Sequence, residues 1–241
     1  MHYVISDVHG DKEKFFKLLK KINFKKRDTL YIIGDLIDRG EDGIELLKYV
    51  MEQKNIVLLK GNHERDMCRA ICHDNTEISP AVLDLFELWF SNGGKVTYQK
   101  LLKESPERAA QIIDYVSSLR NHTIVSVRMK KYLLVHAGIV MKPELSFIDN
   151  LEINAAYDFV CDIREGYLDA EWLLPCYIVT GHTPVDCLPE YMKEMNEENK
   201  KRCAEHRIVF QGKKIFIDCG CGNGKHLGCL RLEDKSEYYI E

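Results

Sequence analysis

Five short polar motifs, each placed directly after an apolar run, constrain this chain more than any other feature of its sequence. In chain order they are Asp7-Val8-His9-Gly10, Gly34-Asp35-Leu36-Ile37-Asp38-Arg39-Gly40, Gly61-Asn62-His63-Glu64, His136-Ala137-Gly138 and Gly181-His182-Thr183. The run before each motif is short and rich in β-branched and aromatic residues, which is typical of a strand buried on both faces. The pattern therefore predicts buried strands with polar side chains at their carboxyl ends.

Helical patterns separate these strands, most clearly after the first two motifs. Apolar residues share one helical face in residues 15–22 and again in residues 44–51, and Asp11 and Asp42 are placed to cap these two helices. Alternation of strand and helix predicts an α/β fold with βαβ units and a largely parallel sheet. Because ligands of such sheets bind at the carboxyl ends of the strands, we expect the five motifs to meet in one crevice.

Length and composition narrow the class of protein further. The 241 residues suffice for a single α/β domain spanning 1–241, in which residues 65–121 carry only helical patterns and form a helical insertion. The chain runs from Met1 almost directly into a strand, and no apolar stretch approaches the roughly 20 residues of a membrane helix. A net charge of −4 gives no general attraction to nucleic acid, and nine scattered cysteines fit a reducing compartment. We therefore expect a cytoplasmic protein, with neither nucleic acid nor membrane as its partner.

The motif side chains include oxygen and imidazole ligands for two divalent metal ions. The six candidates are Asp7, His9, Asp35, Asn62, His136 and His182. Asp7 and His9 can point toward one ion, and Asp35 can bridge both ions through its two carboxylate oxygens. A mixed set of this kind suits manganese, which we expect, or iron or zinc, and it needs no thiolate. Two ions about 3.5–4 Å apart would clamp a phosphoryl group and activate a bridging hydroxide.

Three further motif residues have the chemistry of phosphate-ester cleavage. Arg39 offers a planar guanidinium that can bind two phosphate oxygens at once, which a lysine could not do. His63 is the imidazole that the metal ligands do not require, and beside a phosphate it could protonate the leaving oxygen. Asp38 could orient the His63 ring and favour its protonated form.

Taken together, the motifs resemble those of the calcineurin-like metallophosphoesterase superfamily. Asp38-Arg39-Gly40 and Leu59-Lys60-Gly61-Asn62-His63-Glu64 are similar to the phosphoprotein phosphatase family within it. The compact length and Asn92-Gly93-Gly94 resemble the bacterial and phage branch of that family, which is the lambda-phosphatase-like branch. The resemblance continues into Ile215-Phe216-Ile217-Asp218-Cys219-Gly220 and covers nearly the whole chain.

The resemblance implies a fold and a set of roles. The implied fold is a four-layer αββα sandwich with two mixed β-sheets. The implied ligands are Asp7, His9 and Asp35 for the first metal, and Asp35, Asn62, His136 and His182 for the second. His63 and Asp38 correspond to the catalytic acid pair, and Arg39 and Asn62 to substrate-binding residues. Arg164 is the only arginine between His136 and His182, where the family places a second phosphate-binding arginine.

Three functions are compatible with these features. The expected one is a metal-dependent phosphomonoesterase, namely a serine/threonine protein phosphatase acting on phosphorylated proteins. The alternative is a symmetrical diadenosine tetraphosphate hydrolase, or a hydrolase of another small phosphate ester. A metal-binding scaffold without catalysis is disfavoured, because such a scaffold would not need His63 as a proton donor or Arg39 as a phosphate ligand. Tyr98, Trp172 and Tyr177 could form adenine-binding walls, but they fit packing positions equally well.

Overall fold

The structure, a computed structural model, describes residues 1–72, 79–139, 164, 167–168 and 176–241. This part of the chain forms two mixed five-stranded sheets and eight α-helices. None of the described helices combines the length and the apolar character needed to span a membrane.

The first sheet delivers the first three motifs to one edge. Its strands are β1 (His2–Ile5), β2 (Thr29–Ile32), β3 (Ile56–Leu58), β9 (Leu227–Arg231) and β10 (Glu237–Ile240). Their order is β10-β9-β1-β2-β3. The pairs β1–β2 and β2–β3 are parallel, whereas β9 runs antiparallel to both β1 and β10. The three parallel strands therefore end side by side, and a motif follows each of them.

The second sheet delivers the last two motifs. Its strands are β4 (His122–Val127), β5 (Lys130–Val135), β6 (Tyr177–Thr180), β7 (Val209–Gln211) and β8 (Lys214–Phe216). Their order is β4-β5-β6-β8-β7, with β5, β6 and β8 parallel and the two edge strands antiparallel. The strand pattern alone predicted one largely parallel sheet, which is wrong, because hairpins add antiparallel strands at the sheet edges. Two mixed sheets, as the family resemblance implied, are confirmed.

Side chains that alternate along each strand separate the molecule into layers. In β1, Ile5 packs into a core with the helices beside the first sheet, whereas Val4 packs into a core shared by both sheets. In β5, Leu134 belongs to the shared core, and Leu133 packs with the helices beside the second sheet. This alternation is the period-2 geometry of strands buried on both faces. The resulting order of layers is helix, sheet, sheet, helix.

The helices divide between the two outer layers. Those beside the first sheet are α1 (Lys12–Lys21), α2 (Gly43–Glu52), α3 (Asn62–Ile71), α4 (Pro80–Ser91), α5 (Gly94–Leu101) and α6 (Pro106–Ser118). Those beside the second sheet are α7 (Leu188–Tyr191) and α8 (Glu197–Ala204). Four helices therefore occupy most of the described part of residues 62–121. That residues 65–121 form an insertion in a single domain stays a prediction.

Helix capping agrees with the sequence at one predicted position and differs at the other. The Asp11 carboxylate accepts the Lys14 backbone N–H at 2.9 Å and caps α1 as expected. Asp42 stands at the N-cap of α2, but its side chain makes no capping hydrogen bond. Its carboxylate lies 3.4 Å from the Lys12 ammonium instead. The ion pair with α1 therefore replaces the predicted cap and links the first two helices.

Candidate active site

The loops that follow the motif strands have an unusual backbone conformation. Eleven described non-glycine residues have a positive φ, a region in which a Cβ normally clashes with the backbone. Six of these eleven are predicted site residues: Asp7 (53°), His9 (49°), Asp35 (54°), Asp38 (69°), Arg39 (65°) and His182 (64°). Strained residues of this kind persist where the surrounding structure holds them, and they cluster at functional sites.

Asp35 lies at the centre of the polar cluster. Its Oδ2 atom is 3.2 Å from His136 Nε2, 3.7 Å from His63 Nε2 and 3.9 Å from His9 Nε2. Two groups of candidate metal ligands consequently share this carboxylate. One group is His9, Asp35 and His63, and the other is Asp35, His136 and His182. The position between the groups is the one that the sequence predicted for a bridging carboxylate.

The imidazoles of His9 and His136 are held in the orientation that a metal ligand needs. His9 Nδ1 lies 3.1 Å from the Ile37 carbonyl oxygen, and His136 Nδ1 lies 2.8 Å from the Ile33 carbonyl oxygen. Each ring can donate its Nδ1–H to that carbonyl, which directs Nε2 toward Asp35. Backbone carbonyls commonly fix metal-binding histidines in this way.

Asn62 connects the two histidines of the second group. Its Oδ1 atom lies 2.9 Å from His182 Nδ1 and 3.1 Å from His136 Nε2. Asn62 is the first residue of α3, so the parallel strand β3 and the start of this helix place it at the sheet edge. Asp7 stands beside this group, and its Oδ2 atom accepts the His182 backbone N–H at 3.0 Å and the Ser6 hydroxyl. The structure thus places four of the six predicted metal ligands in the two groups, with Asn62 and Asp7 bonded to His182; in the group around His9, His63 stands where Asp7 was predicted.

His63 and Asp38 form the predicted pair. His63 Nδ1 lies 2.7 Å from Asp38 Oδ2, and both side chains are almost fully buried. Trp89 Nε1 donates a second hydrogen bond of 2.8 Å to the same carboxylate oxygen. Burial lowers the pKa of His63, but the Asp35 and Asp38 carboxylates outweigh burial and raise it. The ring therefore favours the protonated form that a general acid needs.

The Asn92-Gly93-Gly94 segment supports this pair and Arg39. The Gly93 carbonyl accepts the Arg39 backbone N–H at 3.1 Å. A Cβ at Gly94 would lie only 2.1 Å from Trp89 Nε1, so only glycine lets the indole reach Asp38. The glycines of this segment, which marked the family resemblance, are therefore explained by the local packing around Arg39 and Trp89.

Glu64 is a site residue whose role the motif alone did not show. It is fully buried and accepts four backbone N–H groups: those of Asp35, Leu36 and Gly61 at 2.9 Å and that of Ile37 at 3.4 Å. Three of these donors belong to the loop after β2. Glu64 therefore fixes the loop that presents Asp35, Asp38 and Arg39.

The site concentrates buried carboxylates. Burial, and then the neighbouring carboxylates, raise the pKa of Asp218 well above its ordinary value. Burial likewise raises the pKa of Asp7, against the His136 charge. The sequence did not predict that Asp218 belongs to the site, because it showed this residue only as part of a closing β-segment. Buried carboxylates with raised pKa values are those that a bound cation would stabilise in ionised form.

The buried carboxylates of Asp7, Asp35 and Asp218 line a cleft of about 470 Å³, which is also lined by three arginines. Arg39 donates from Nη1 to Asn223 Oδ1 at 3.4 Å. Arg164 also lines the cleft, and its guanidinium lies 5.9 Å from the centre of the Tyr191 ring. Arg65 was not predicted, and it reaches the cleft from α3. The cleft is therefore lined by acidic, imidazole and guanidinium groups together.

The aromatic residues considered as adenine-binding walls do not line this cleft where they are described. Tyr98 packs against Phe86, Phe90 and Trp89 in the helical layer. Tyr177 stacks on Tyr132 with ring centres 5.2 Å apart. Trp172 lies outside the described residues. The cleft walls instead include Leu88, Pro184 and Tyr191.

Fold and site together define a metallophosphoesterase architecture, in which strand ends present a compact set of metal-ligand side chains. Residues 3–211 match the sequence profile of the family described as "Calcineurin-like phosphoesterase", and the chain belongs to this family. The predicted superfamily is thereby confirmed. Its lambda-phosphatase-like branch stays a prediction.

Two curated relatives carry the same name. A protein of Escherichia coli O1:K1 / APEC named "Bis(5'-nucleosyl)-tetraphosphatase, symmetrical" is 26% identical over 284 residues, covering 99% of this chain and 93% of that protein. A protein of the same name from Wigglesworthia glossinidia brevipalpis is 30% identical over 148 residues. That match covers 60% of this chain and spans less than half, 47%, of the relative.

Solved structures share the fold. A crystal structure of a proposed diadenosine tetraphosphatase has a TM-score of 0.60 at 18% identity, covering 99% of this chain and 92% of that one. A protein serine/threonine phosphatase from Saccharomyces cerevisiae has a TM-score of 0.52 at 17% identity, covering 99% and 78%. At these identities the likeness concerns the fold alone.

Proposed function

We propose that this protein is a metal-dependent phosphoesterase whose preferred substrate is a dinucleoside tetraphosphate, cleaved symmetrically. The observation that carries the chemistry is the position of Asp35, which is shared by two groups of ligand side chains and lies beside the His63–Asp38 pair. The expected function was a serine/threonine protein phosphatase. The curated relatives favour the alternative, because their name specifies a bis(5'-nucleosyl)-tetraphosphatase.

The donor set fits two divalent cations. In this proposal Asp7, His9 and Asp35 hold one ion, and Asp35 with Asn62, His136 and His182 holds the other. The fit rests on the directed Nε2 atoms of His9 and His136 and on the crowded carboxylates of the site. Such cations supply Lewis acidity toward phosphoryl oxygens and lower the pKa of water. The set suits manganese, iron or zinc, and manganese is the metal we propose.

His63 is the proton donor to the leaving oxygen in this proposal. Its Nδ1–H is engaged with Asp38, so Nε2 is the atom that can deliver a proton into the cleft. Asp38, held by Trp89, keeps the ring oriented and stabilises the imidazolium. In a tetraphosphate the leaving group is a nucleoside diphosphate, which needs less protonation than an alkoxide does.

Arg39 and Arg164 are the proposed phosphate ligands. Both line the cleft beside the ligand cluster, and a guanidinium can bind two phosphate oxygens at once. Asn62 lines the same cleft, where its amide can contact a phosphoryl oxygen as well as a cation. These roles are those that the sequence predicted for the three residues.

Phosphoprotein hydrolysis is the second candidate, and the sequence motifs favour it. Asp38-Arg39-Gly40 and the segment ending in Gly61-Asn62-His63-Glu64 resemble the phosphoprotein phosphatase family. Both candidates use the same cluster of side chains. They differ in what the cleft must accommodate besides the reacting phosphate, which is a polypeptide in one case and further phosphates with nucleosides in the other.

The deciding experiment compares kcat/KM for diadenosine tetraphosphate with that for phosphoserine and phosphothreonine peptides, using protein loaded with manganese, iron or zinc. Chromatography of the products tests the symmetry, because symmetrical cleavage yields only ADP, whereas asymmetrical cleavage yields ATP and AMP. A preference for phosphopeptides by about tenfold or more, equivalent to about 1.4 kcal/mol, would reverse the assignment. Elemental analysis of active protein should give two ions per chain, and one ion or none would contradict the bridging role of Asp35.

A further inference from the structure

Arg65 enters the cleft from a position that helix geometry links to the site. It lies three residues after Asn62 on α3, so both side chains share one face of the helix. Both line the cleft, together with Asp66. The same helix thus contributes a metal-ligand candidate and, one turn later, a guanidinium.

Asp66 fixes the guanidinium of Arg65. Arg65 Nε donates to Asp66 Oδ1 at 2.9 Å, and Arg65 Nη2 lies 2.9 Å from the same oxygen. The Asp66 side chain is only 5% exposed, whereas that of Arg65 is 22% exposed. Neighbouring residues of a helix do not normally face each other, so this pair is not an ordinary helix-stabilising ion pair. The contact instead holds a partly exposed guanidinium at the cleft wall.

A symmetrically cleaved tetraphosphate makes a demand that a single phosphate ester does not. Two phosphates lie on each side of the broken bond, and only one phosphorus is attacked. The remaining phosphates carry negative charge that must be balanced inside the cleft. Preorganised arginines are the side chains best suited to this, because they pair with phosphate oxygens through two hydrogen bonds. Arg65 lines the cleft from α3, whereas the Arg164 guanidinium lies beside the ring of Tyr191, the last residue of α7.

We propose that Arg65, oriented by Asp66, binds a phosphate adjacent to the reacting phosphoryl group and thereby selects substrates with consecutive phosphates over single phosphate esters. The inference rests on the proposed function, since it specifies how that site reads its substrate. It concerns a residue outside the five motifs, which explains why the motifs alone do not separate the two substrate classes.

The test compares Arg65→Ala with the wild-type enzyme on diadenosine tetraphosphate and on p-nitrophenyl phosphate, each with manganese. We expect kcat/KM for the tetraphosphate to fall about tenfold more than kcat/KM for the aryl phosphate, because a charge-assisted hydrogen bond is lost. The loss should lie mainly in KM, as expected for binding of a non-reacting group. Arg69→Ala is the matched control, because Arg69 is an exposed arginine one turn further along α3, and the ratio of the two kcat/KM values should stay at its wild-type value.

A second readout does not depend on turnover of the dinucleotide. Inhibition of aryl phosphate hydrolysis is measured with inorganic tripolyphosphate and with orthophosphate. We expect the selectivity for tripolyphosphate, given by the ratio of the two inhibition constants, to fall about tenfold in Arg65→Ala. In Arg65→Lys the selectivity for tripolyphosphate should fall nearly as far, since an ammonium keeps the charge but loses the paired hydrogen bonds. Arg65→Lys also carries the test if the alanine variant does not fold.

The outcomes separate this inference from the proposed function. Unchanged substrate and inhibitor ratios in both Arg65 variants would overturn the role of Arg65, and so would equal losses on both substrates. A wild-type enzyme that prefers phosphopeptides would refute the proposed substrate. In that case, a loss of tripolyphosphate selectivity in the Arg65 variants would still support the adjacent phosphate site. An unchanged selectivity would overturn the role of Arg65.

Discussion

Replacing Glu64 by glutamine is the most direct test of how the site is held together. The Glu64 carboxylate is fully buried, and its two oxygens accept four backbone N–H groups. Oε2 accepts those of Asp35 and Gly61, and Oε1 accepts those of Leu36 and Ile37. A glutamine of the same shape keeps one oxygen but turns an NH₂ group toward the other two donors.

The structure sets the size of the effect. The amide can keep the two 2.9 Å bonds to Asp35 and Gly61, and it then leaves the N–H groups of Leu36 and Ile37 without an acceptor. Each buried unsatisfied group costs about 1–3 kcal/mol, so Glu64→Gln should lower the free energy of unfolding by about 2–6 kcal/mol. That is a large part of the roughly 5–15 kcal/mol typical of folded proteins.

Urea unfolding at a fixed excess of manganese measures this loss, and metal titration measures its consequence. Because three of the donors lie in the loop that carries Asp35, the variant should also bind metal more weakly. Glu87→Gln is the control, since Glu87 is exposed on α4 and its replacement should stay within about 0.5 kcal/mol of the wild type. A Glu64→Gln variant with a loss below about 1 kcal/mol and normal metal affinity would refute the proposed clamp.

Three further predictions concern the chemistry and the backbone. His63→Asn should lose about 10²–10⁴-fold in rate on phosphoserine peptides and less on aryl phosphates, whose leaving groups need less protonation, and equal losses would argue against an acid role. In unfolding experiments, Arg39→Gly should be more stable than Arg39→Ala by about 1–2 kcal/mol. Both variants remove the guanidinium, but only glycine adopts the φ of 65° without strain. Equal free energies of unfolding would exclude backbone strain at position 39. Burial lowers the pKa of His136, but Asp35 raises it to about 10, so the ring is protonated below that pH in the metal-free protein. Manganese binding should therefore release a proton at neutral pH and strengthen as pH rises toward 10, which calorimetry in buffers of different ionisation enthalpy would show; release of no proton would contradict this.

The sequence was sufficient for most features that depend on local pattern, although the cap predicted at Asp42 does not form. Short apolar runs located the strands, and the motif at the end of each run located the side chains of the cluster. Asp11 was recognised as a cap because capping is a local interaction between a side chain and the next helical turn. The division into two sheets could not be read from the strands themselves. It came from the family resemblance, because strand pairing depends on contacts between distant segments.

Residues that act on the site from other segments were missed for the same reason. Trp89 binds Asp38 from α4, and nothing in the helical pattern around Trp89 distinguishes it from a core residue. The four acceptor contacts of Glu64 lead to backbone amides, which carry no sequence information. Arg65 and Asp218 became visible only when folding placed them on the cleft. The position of Glu64 inside a motif that follows a buried strand was nevertheless a usable signal, since an acidic side chain there requires partners if it is buried.

The strained backbone explains why no single motif would form the site. Asp7, His9 and Asp35 each have a positive φ, which costs about 1–2 kcal/mol for a residue with a Cβ. Their loops are bonded to each other: the Asp7 N–H donates to the Gly34 carbonyl at 3.2 Å, and the His9 N–H donates to the Asp35 carbonyl at 3.0 Å. The Gly40 N–H in turn donates to the His9 carbonyl at 3.0 Å. Each loop therefore holds its neighbour in a conformation that neither would adopt alone, and the chemistry of the motifs depends on their being folded together.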